Sequence, residues 1–501
     1  MNPGRTPSGF RATATSDLGD RRLLSREECE EILERAHGFA RGGGETAVAI
    51  ASWWQGELRW GRNRVSLSSD RRDLWVNVQR KLVNGRSVRG HIVTNQIDDA
   101  SLREAVRAAE RKSALGADPG WGLGDYPGLP EYPPYRGAPH WADATFNLTV
   151  KERAEVARSI IDAVEAEGLL SAGYLEVHAG ATMSKGTELP ELRTGEYAFW
   201  EQPYTTWTRA RLTVTVRDPK GTGSGWAGLS SYDWNRIDPN ALARRAIQKC
   251  IASRDPVALE PGRYTVILEP QAVADLLEPL IHQLRVGREL AERPSRHPMY
   301  LGPDEHLGIH RSKLGMKIVD SRITISHDPA DPLMGLPSQT VEYPGPVTWI
   351  DHGVLTNLGH DFKTDVAALE GWHRLRGPVG YRMSGGDATI EEMIASTRRG
   401  LLVTRFSAVR TLDERSLLVT GLTRDGLWLI ENGQITKAVK NFRFTESPLF
   451  ALNNIEEIGE PVPVFRLGGD WVGSWIAQVS PTIVPPLKVR DFSFTSLIDA
   501  V

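Results

Sequence analysis

The sequence predicts an α+β protein. An antiparallel-sheet N-terminal domain with helices is followed by a large, mainly-β, sandwich- or barrel-like C-terminal domain. Three observations lead there. Capping boxes at Ser25-Arg26-Glu27-Glu28 and Ser101-Leu102-Arg103-Glu104 open helices that flank short β-rich runs. Asn84-Gly85 and Asn432-Gly433 join pairs of such runs, the pattern of two-residue hairpins. After Gly287 the chain reads almost entirely as strands and turns.

In chain order, the first capping box starts a helix continued by Ile32, Leu33 and Ala36, and Gly42-Gly43-Gly44 ends it. Strands are expected over 47–51, 57–60, 74–83 and 86–94. The second capping box opens a helix to about Leu115. Residues 116–140 are rich in Gly, Pro, Tyr and Trp and read as a linker or excursion. A helix follows over 151–167, then strands over 174–178 and 212–216. Asp238-Pro239 supplies an N-cap and a first-turn proline for a helix to Ala252. Strands are expected over 317–326, 347–350, 354–358, 416–420, 427–431 and 434–439, with a short helix over 389–397. These elements divide the chain into a disordered tail (1–22), an N-terminal α+β domain (23–115), a linker with a central α/β domain (116–255) and a mainly-β C-terminal domain (256–501).

Composition narrows the function classes. The chain has 501 residues and a formal charge of -3, which gives no electrostatic case for nucleic acid or an anionic membrane. Cys29 and Cys250 are the only cysteines, so neither a thiolate cluster nor a disulfide framework is expected. No signal peptide and no apolar run of about 20 residues is evident, and a cytoplasmic location is the expectation. Trp200, Trp207, Trp226 and Trp234 fall in one short segment, suggesting a sheet with a partly wet face or groove.

The central stretch is 262–282. Tyr264 to Leu268 reads as a buried strand, and Pro270 can open the helix that follows because the first turn leaves its missing N–H unpaired anyway. Val273, Leu276, Leu277, Leu280 and Ile281 repeat at helical spacing. Glu278 and His282 stand four apart, on one face. A zinc peptidase helix needs two imidazoles on one face and a carboxylate to activate water. Here Glu278 could be the carboxylate and His282 one imidazole, but the other position holds Leu277, and Pro279 removes a helix hydrogen bond. His306 and His310 offer a second pair at helical spacing, weakened by Gly308. The run 221–225 is glycine-rich, yet no helix follows it, so a turn is expected rather than a phosphate loop. Arg424, Asp425 and Arg443 carry charge amid apolar strands. They are either paired structural ions or the lining of a peptide-binding cavity.

Several motifs together resemble the TldD/PmbA (TldD/TldE) family of metallopeptidase-related proteins. They are Arg193-Thr194-Gly195-Glu196, the runs 221–226 and 253–268, Lys313-Leu314-Gly315, and the runs 353–358, 421–426, 441–447 and 484–492. The resemblance covers most of the chain from about Gly42. It implies a peptidase fold acting on small or unfolded peptides, with zinc held in the TldD-type subunit by H-E-x-x-x-H and a late cysteine. The matching window here is Leu277-Glu278-Pro279-Leu280-Ile281-His282, and no cysteine follows Cys250. By this resemblance the chain is similar to the TldE/PmbA-type subunit. The family uses zinc, and this chain is expected to bind none alone. Glu278 and His282 are candidate catalytic and metal residues, or remnants of such. The expected partners are a TldD-type H-E-x-x-x-H subunit or a second copy, and a peptide substrate. An autonomous metallopeptidase with other ligands, or a non-enzymatic peptide-binding protein, are the alternatives.

Overall fold

The computed structural model describes residues 23–41, 44–82, 89–115, 140–186, 202–286, 294–304, 309–328, 330–334, 346–360, 380–465 and 481–498. The chain divides into two compact units. One comprises Met1–Gln55, Asp70–Gly122 and His178–Thr206; the other comprises Gly56–Ser69, Leu123–Val177 and Trp207–Val501.

Strands β1 (Gly44–Gly61), β2 (Arg64–Leu82), β3 (Arg89–Thr94), β4 (Leu170–Gly186), β5 (Gln202–Arg217) and β6 (Ser224–Ser231) form a sheet of order β3-β2-β1-β4-β5-β6. The two short strands expected over 47–51 and 57–60 are one. Burial alternates without a break from Ile50 through Trp54 to Leu58, so the two-residue period carries across Gln55-Gly56. Arg62 (φ 49°) and Asn63 (φ 59°) make the tight turn into β2. Asn84-Gly85 lies outside the described residues.

In the first unit, helix α1 (Arg26–Gly38) carries the expected capping box. Glu28 N–H donates to Ser25 Oγ (3.2 Å), and Ser25 N–H donates to Glu28 Oε2 (2.8 Å). Helix α2 (Asp99–Leu115) begins two residues before Ser101. Asp98 Oδ1 accepts the Ser101 N–H (3.0 Å), so Asp98 plays the capping role the sequence suggested for Ser101. Cys29, Ile32 and Leu33 of α1, Leu102 and Val106 of α2, and Val48 and Val76 of the sheet share one core. A Cβ at Gly90 would meet the Ala109 carbonyl oxygen at 1.7 Å, so only glycine lets α2 lie this close to β3.

The second unit holds α3 (Asp143–Phe146), α4 (Val150–Ala166), α5 (Pro239–Ala252), β7 (Gly262–Leu268) and α6 (Pro270–Gln283). Asp238 caps α5 as expected, accepting the Asn240 and Ala241 amides at 2.9 and 3.0 Å. Strand β7 runs parallel to Arg399–Asp413 and antiparallel to Leu487–Leu497. Leu487–Leu497 pairs with Phe442–Glu446, which pairs with Leu418–Glu431, which pairs back with Arg399–Asp413. The five strands therefore close a ring, the barrel-like body the hairpins implied. Phe406, Phe444 and Phe492 are buried together, with ring centroids 4.3 to 5.7 Å apart. Asn432 (φ 51°) and Gly433 (φ 79°) turn the ring strand Leu418–Glu431 into Gln434–Ala438.

A separate six-stranded sheet contains Val347–Asp351 and Val354–Leu355, joined through His352 (φ 46°) and Gly353 (φ 81°) as expected. The strand expected over 317–326 is only Ile325–His327. Asp320 spends the preceding backbone on a turn: its Oδ1 accepts the Arg322 N–H (2.8 Å) and its carbonyl accepts the Ile323 N–H (3.0 Å). The sheet's two edge strands are Val354–Leu355 and Val462–Pro463. Among the described residues no helix is long and apolar enough to cross a membrane.

Candidate functional site

Helix α6 starts at Pro270, as its sequence dictates, and runs unbroken to Gln283. Pro279 lies inside it and has no N–H to donate to the Asp275 carbonyl one turn back. Leu276, Leu277, Leu280 and Ile281 enter the core with Val266, Leu268 and Phe406. Leu277 is 0% exposed. Glu278 is half-buried and His282 is exposed. Leu277 thus fills apolar space where a metal site needs an imidazole, and its carbon side chain offers no lone pair.

A second imidazole, His297, lies within electrostatic reach of His282. Burial, then the charges of His282 and Lys313, hold its pKa down at about 4. Its Nδ1 accepts the Met299 N–H at 3.2 Å, which leaves the proton on Nε2 and no lone pair there for a metal. His310 sits in a strand, Ile309–Ser312, rather than on the helix its spacing with His306 suggested; His306 lies outside the described residues. Among the described residues, no group of three or more His, Cys, Asp or Glu side chains is placed to hold a metal ion. The residues present at this window do not fit a zinc centre.

Charge gathers instead beside the N-terminal half of α6. Opposite Thr404, the paired strand carries two residues, Asp425 and Gly426, so the register slips between Val403 and Arg405. Asp425 takes φ 56° at this bulge and is 0% exposed. Arg405 Nε donates to Asp425 Oδ2 at 2.8 Å, Arg217 Nη2 lies 3.2 Å from Oδ1, and Ser224 Oγ also donates to Oδ1. Burial works against ionising Asp425. Arg405, the Ser224 hydroxyl and Arg217 overcome it, so its pKa falls below the usual aspartate value. Arg405 also lies over the Trp226 ring, 4.7 Å from its centroid.

A second carboxylate, Asp275 of α6, faces the same arginine. Gln271 Nε2 donates to its Oδ1 (2.9 Å) and the Phe406 N–H to its Oδ2 (3.0 Å). Burial dominates here and raises the pKa to about 7, against the pull of Gln271 and Arg405. Lys249 of α5 pairs with Glu269 at the start of α6 (2.6 Å). Burial lowers the Lys249 pKa while Glu269 opposes the shift.

Lys249, Glu269 and Gln271 border a cavity of about 390 Å³ that Trp226 and Thr404 also line. Of the four clustered tryptophans only Trp226 lines it: Trp207 is buried on β5, Trp234 is half-buried away from the lining, and Trp200 lies outside the described residues. Of the residues singled out in the sequence, Asp425 is locked into the buried ion cluster. Arg424 stands 4.0 Å from it with its side chain 38% exposed, and Arg443 is exposed on the outer face of the ring. None of the three borders the cavity. Sequence reading missed Arg405, Ser224, Lys249, Glu269 and Gln271. The one available signal was the four-residue spacing of Arg245 and Lys249 on a capped helix.

Residues 261–496 match the family model described as the PmbA/TldA metallopeptidase C-terminal domain. The C-terminal part of the chain, β7 and α6 included, is therefore a domain of that class. The resemblance to the TldD/PmbA family that the motifs carried is thereby shown over residues 261–496. Solved structures share its fold at low identity. A proposed modulator of a DNA gyrase from Thermotoga maritima aligns with a TM-score of 0.69 at 17% identity, covering 93% of this chain and 100% of that one. TldE from Thermococcus kodakarensis aligns with a TM-score of 0.68 at 17% identity, covering 93% and 99%. A proposed modulator of DNA gyrase from Bacteroides thetaiotaomicron aligns with a TM-score of 0.66 at 18% identity, covering 94% and 98%. Comparison with curated proteins returns no match.

Proposed function

We propose that this chain is the non-hydrolytic subunit of a TldD/TldE-like zinc metallopeptidase complex that processes small or unfolded peptides. A partner subunit carrying H-E-x-x-x-H supplies the zinc and the water-activating carboxylate. The observation that carries this reading is Leu277, fully buried in the core at the position of the motif's first histidine. With no metal to activate water, Glu278 has no hydrolytic task in this chain, and His282 is a solvent-facing remnant. The fold shared with TldE from Thermococcus kodakarensis supports the same assignment. The complex works in the cytoplasm and needs neither nucleic acid nor a membrane.

The test is zinc analysis and peptide cleavage with the chain alone and mixed with an H-E-x-x-x-H paralogue from the same genome. The mixture cleaves and carries zinc; the chain alone does neither and elutes on size exclusion as a species that shifts on mixing. Stoichiometric zinc and peptide cleavage by the isolated chain would overturn the proposal.

A further inference from the structure

The cavity between α5, the start of α6 and the edge strand β6 has three chemically distinct walls. Arg245 and Lys249 are four residues apart on α5 and present a cationic wall. Glu269 and Gln271 flank the first turn of α6 and present an acceptor wall. Trp226 and Val464 belong to the third wall, which is apolar. The volume, about 390 Å³, falls within the range of about 300–1,000 Å³ typical of small-molecule sites.

Among the described residues, two buried polar atoms on this lining have no hydrogen-bond partner. Gln271 donates through Nε2 to Asp275, which fixes its Oε1 as an acceptor, and that oxygen has no hydrogen-bond donor among the described residues. Thr404 Oγ1 has no partner either. The two residues are 8% and 1% exposed. Buried polar groups in native proteins are almost always satisfied, so each orphan points to a partner that enters from the cavity. Lys249 makes one ion pair, to Glu269, and an ammonium has three N–H bonds to give.

We propose that this cavity is a binding site for a free α-amino acid with an apolar side chain. The α-carboxylate lies against Lys249 and Arg245. The α-ammonium donates to Gln271 Oε1 and Glu269. The side chain packs on Trp226 and Val464. Each wall matches one group of the ligand: loss of the ammonium leaves Gln271 Oε1 unpaired, and loss of the carboxylate removes the ion pair to Arg245 and Lys249.

The experiment is calorimetric titration of the full chain with L-leucine and L-phenylalanine, set beside L-leucinamide, which lacks the carboxylate, and N-acetyl-L-leucine, which lacks the ammonium. L-Leucine binds saturably, and each analogue binds at least about tenfold more weakly, since a charge-assisted hydrogen bond is lost. Arg245 is exposed, so Arg245→Ala folds normally and weakens leucine binding by about tenfold. Lys249→Met abolishes binding. The proposal is overturned if neither amino acid binds at millimolar concentration, if the three leucine compounds bind equally, or if Arg245→Ala binds like the parent chain. Peptide cleavage plays no part in this measurement, so it stands or falls apart from the peptidase-subunit reading.

Discussion

Arg405 Nε donates to Asp425 Oδ2 at 2.8 Å across the bulge, with the carboxylate 0% exposed. Arg217 and Ser224 complete the carboxylate's surroundings. Asp425→Asn therefore strands two guanidinium groups. The expected loss is about 3–5 kcal/mol, the usual cost of breaking a buried pair from one side. Because the folded-state pKa of Asp425 is depressed, its contribution is present above the unfolded value of about 3.9 and is lost as pH falls through the lower folded value. Urea unfolding from pH 7 to pH 3 checks both points. The parent chain loses stability in acid, and Asp425→Asn starts lower and loses less. A variant as acid-sensitive as the parent would refute the assignment.

Asp275 runs the other way. Its pKa is raised to about 7 by burial, so its contribution is fully present below the unfolded value and is lost as pH rises through about 7. Asp275→Asn removes the ionisable group and keeps an acceptor for the Phe406 amide. The variant is expected to melt above the parent at pH 8, with the gap closing toward pH 4. Thermal melts across that range give the answer, and a gap that does not depend on pH would count against the buried, uncharged carboxyl.

Leu277→His restores the H-E-x-x-x-H letters but not the site. The imidazole would replace an aliphatic side chain wholly enclosed by the core. Loss of packing and burial of a polar ring together cost about 2–5 kcal/mol. Elemental analysis of the refolded variant should find no stoichiometric zinc. A stable variant with one zinc per chain would show that the window is more open than its packing indicates.

Gly426 takes φ 128°, and a Cβ there would meet the Trp428 ring at 2.2 Å. Gly426→Ala is expected to cost about 2 kcal/mol or more through backbone strain and this clash. Circular dichroism melts would reveal it. An unchanged melting temperature would mean that the bulge reshapes freely, and the Asp425 cluster with it.

Much of the local structure was legible because its causes lie within a few residues. Ser25 and Glu28 cap each other, Asp238-Pro239 opens α5, Pro270 opens α6, and Asn432-Gly433 turns a hairpin. Where a nearby competitor existed, the reading slipped: Asp98 displaced Ser101 as the cap, and the Asp320 turn consumed most of an expected strand. The site was legible only in outline. Leu277 marked, from its own position, a side chain that packs in the core and cannot ligate a metal. The partners of Asp425 did not announce themselves, since Ser224 lies 201 positions away and Arg405 on the neighbouring strand. The pairing of Lys249 with Glu269 likewise depends on how α5 meets α6, a tertiary fact that no local pattern encodes.

The closed ring has a consequence for how the molecule is made. Strand β7 is flanked by Arg399–Asp413 and Leu487–Leu497, both far downstream. A growing chain exposes β7 and the apolar face of α6 long before either flanking strand exists. Contacts so distant in sequence close slowly, because loop entropy must be overcome before pairing rewards it. During that interval two unpaired strand edges and the leucine-rich helix stand open to solvent. Leu487–Leu497 is the last strand of the ring to be synthesised, so until it pairs with β7 and Phe442–Glu446 the ring keeps open edges, the surfaces on which aggregation starts.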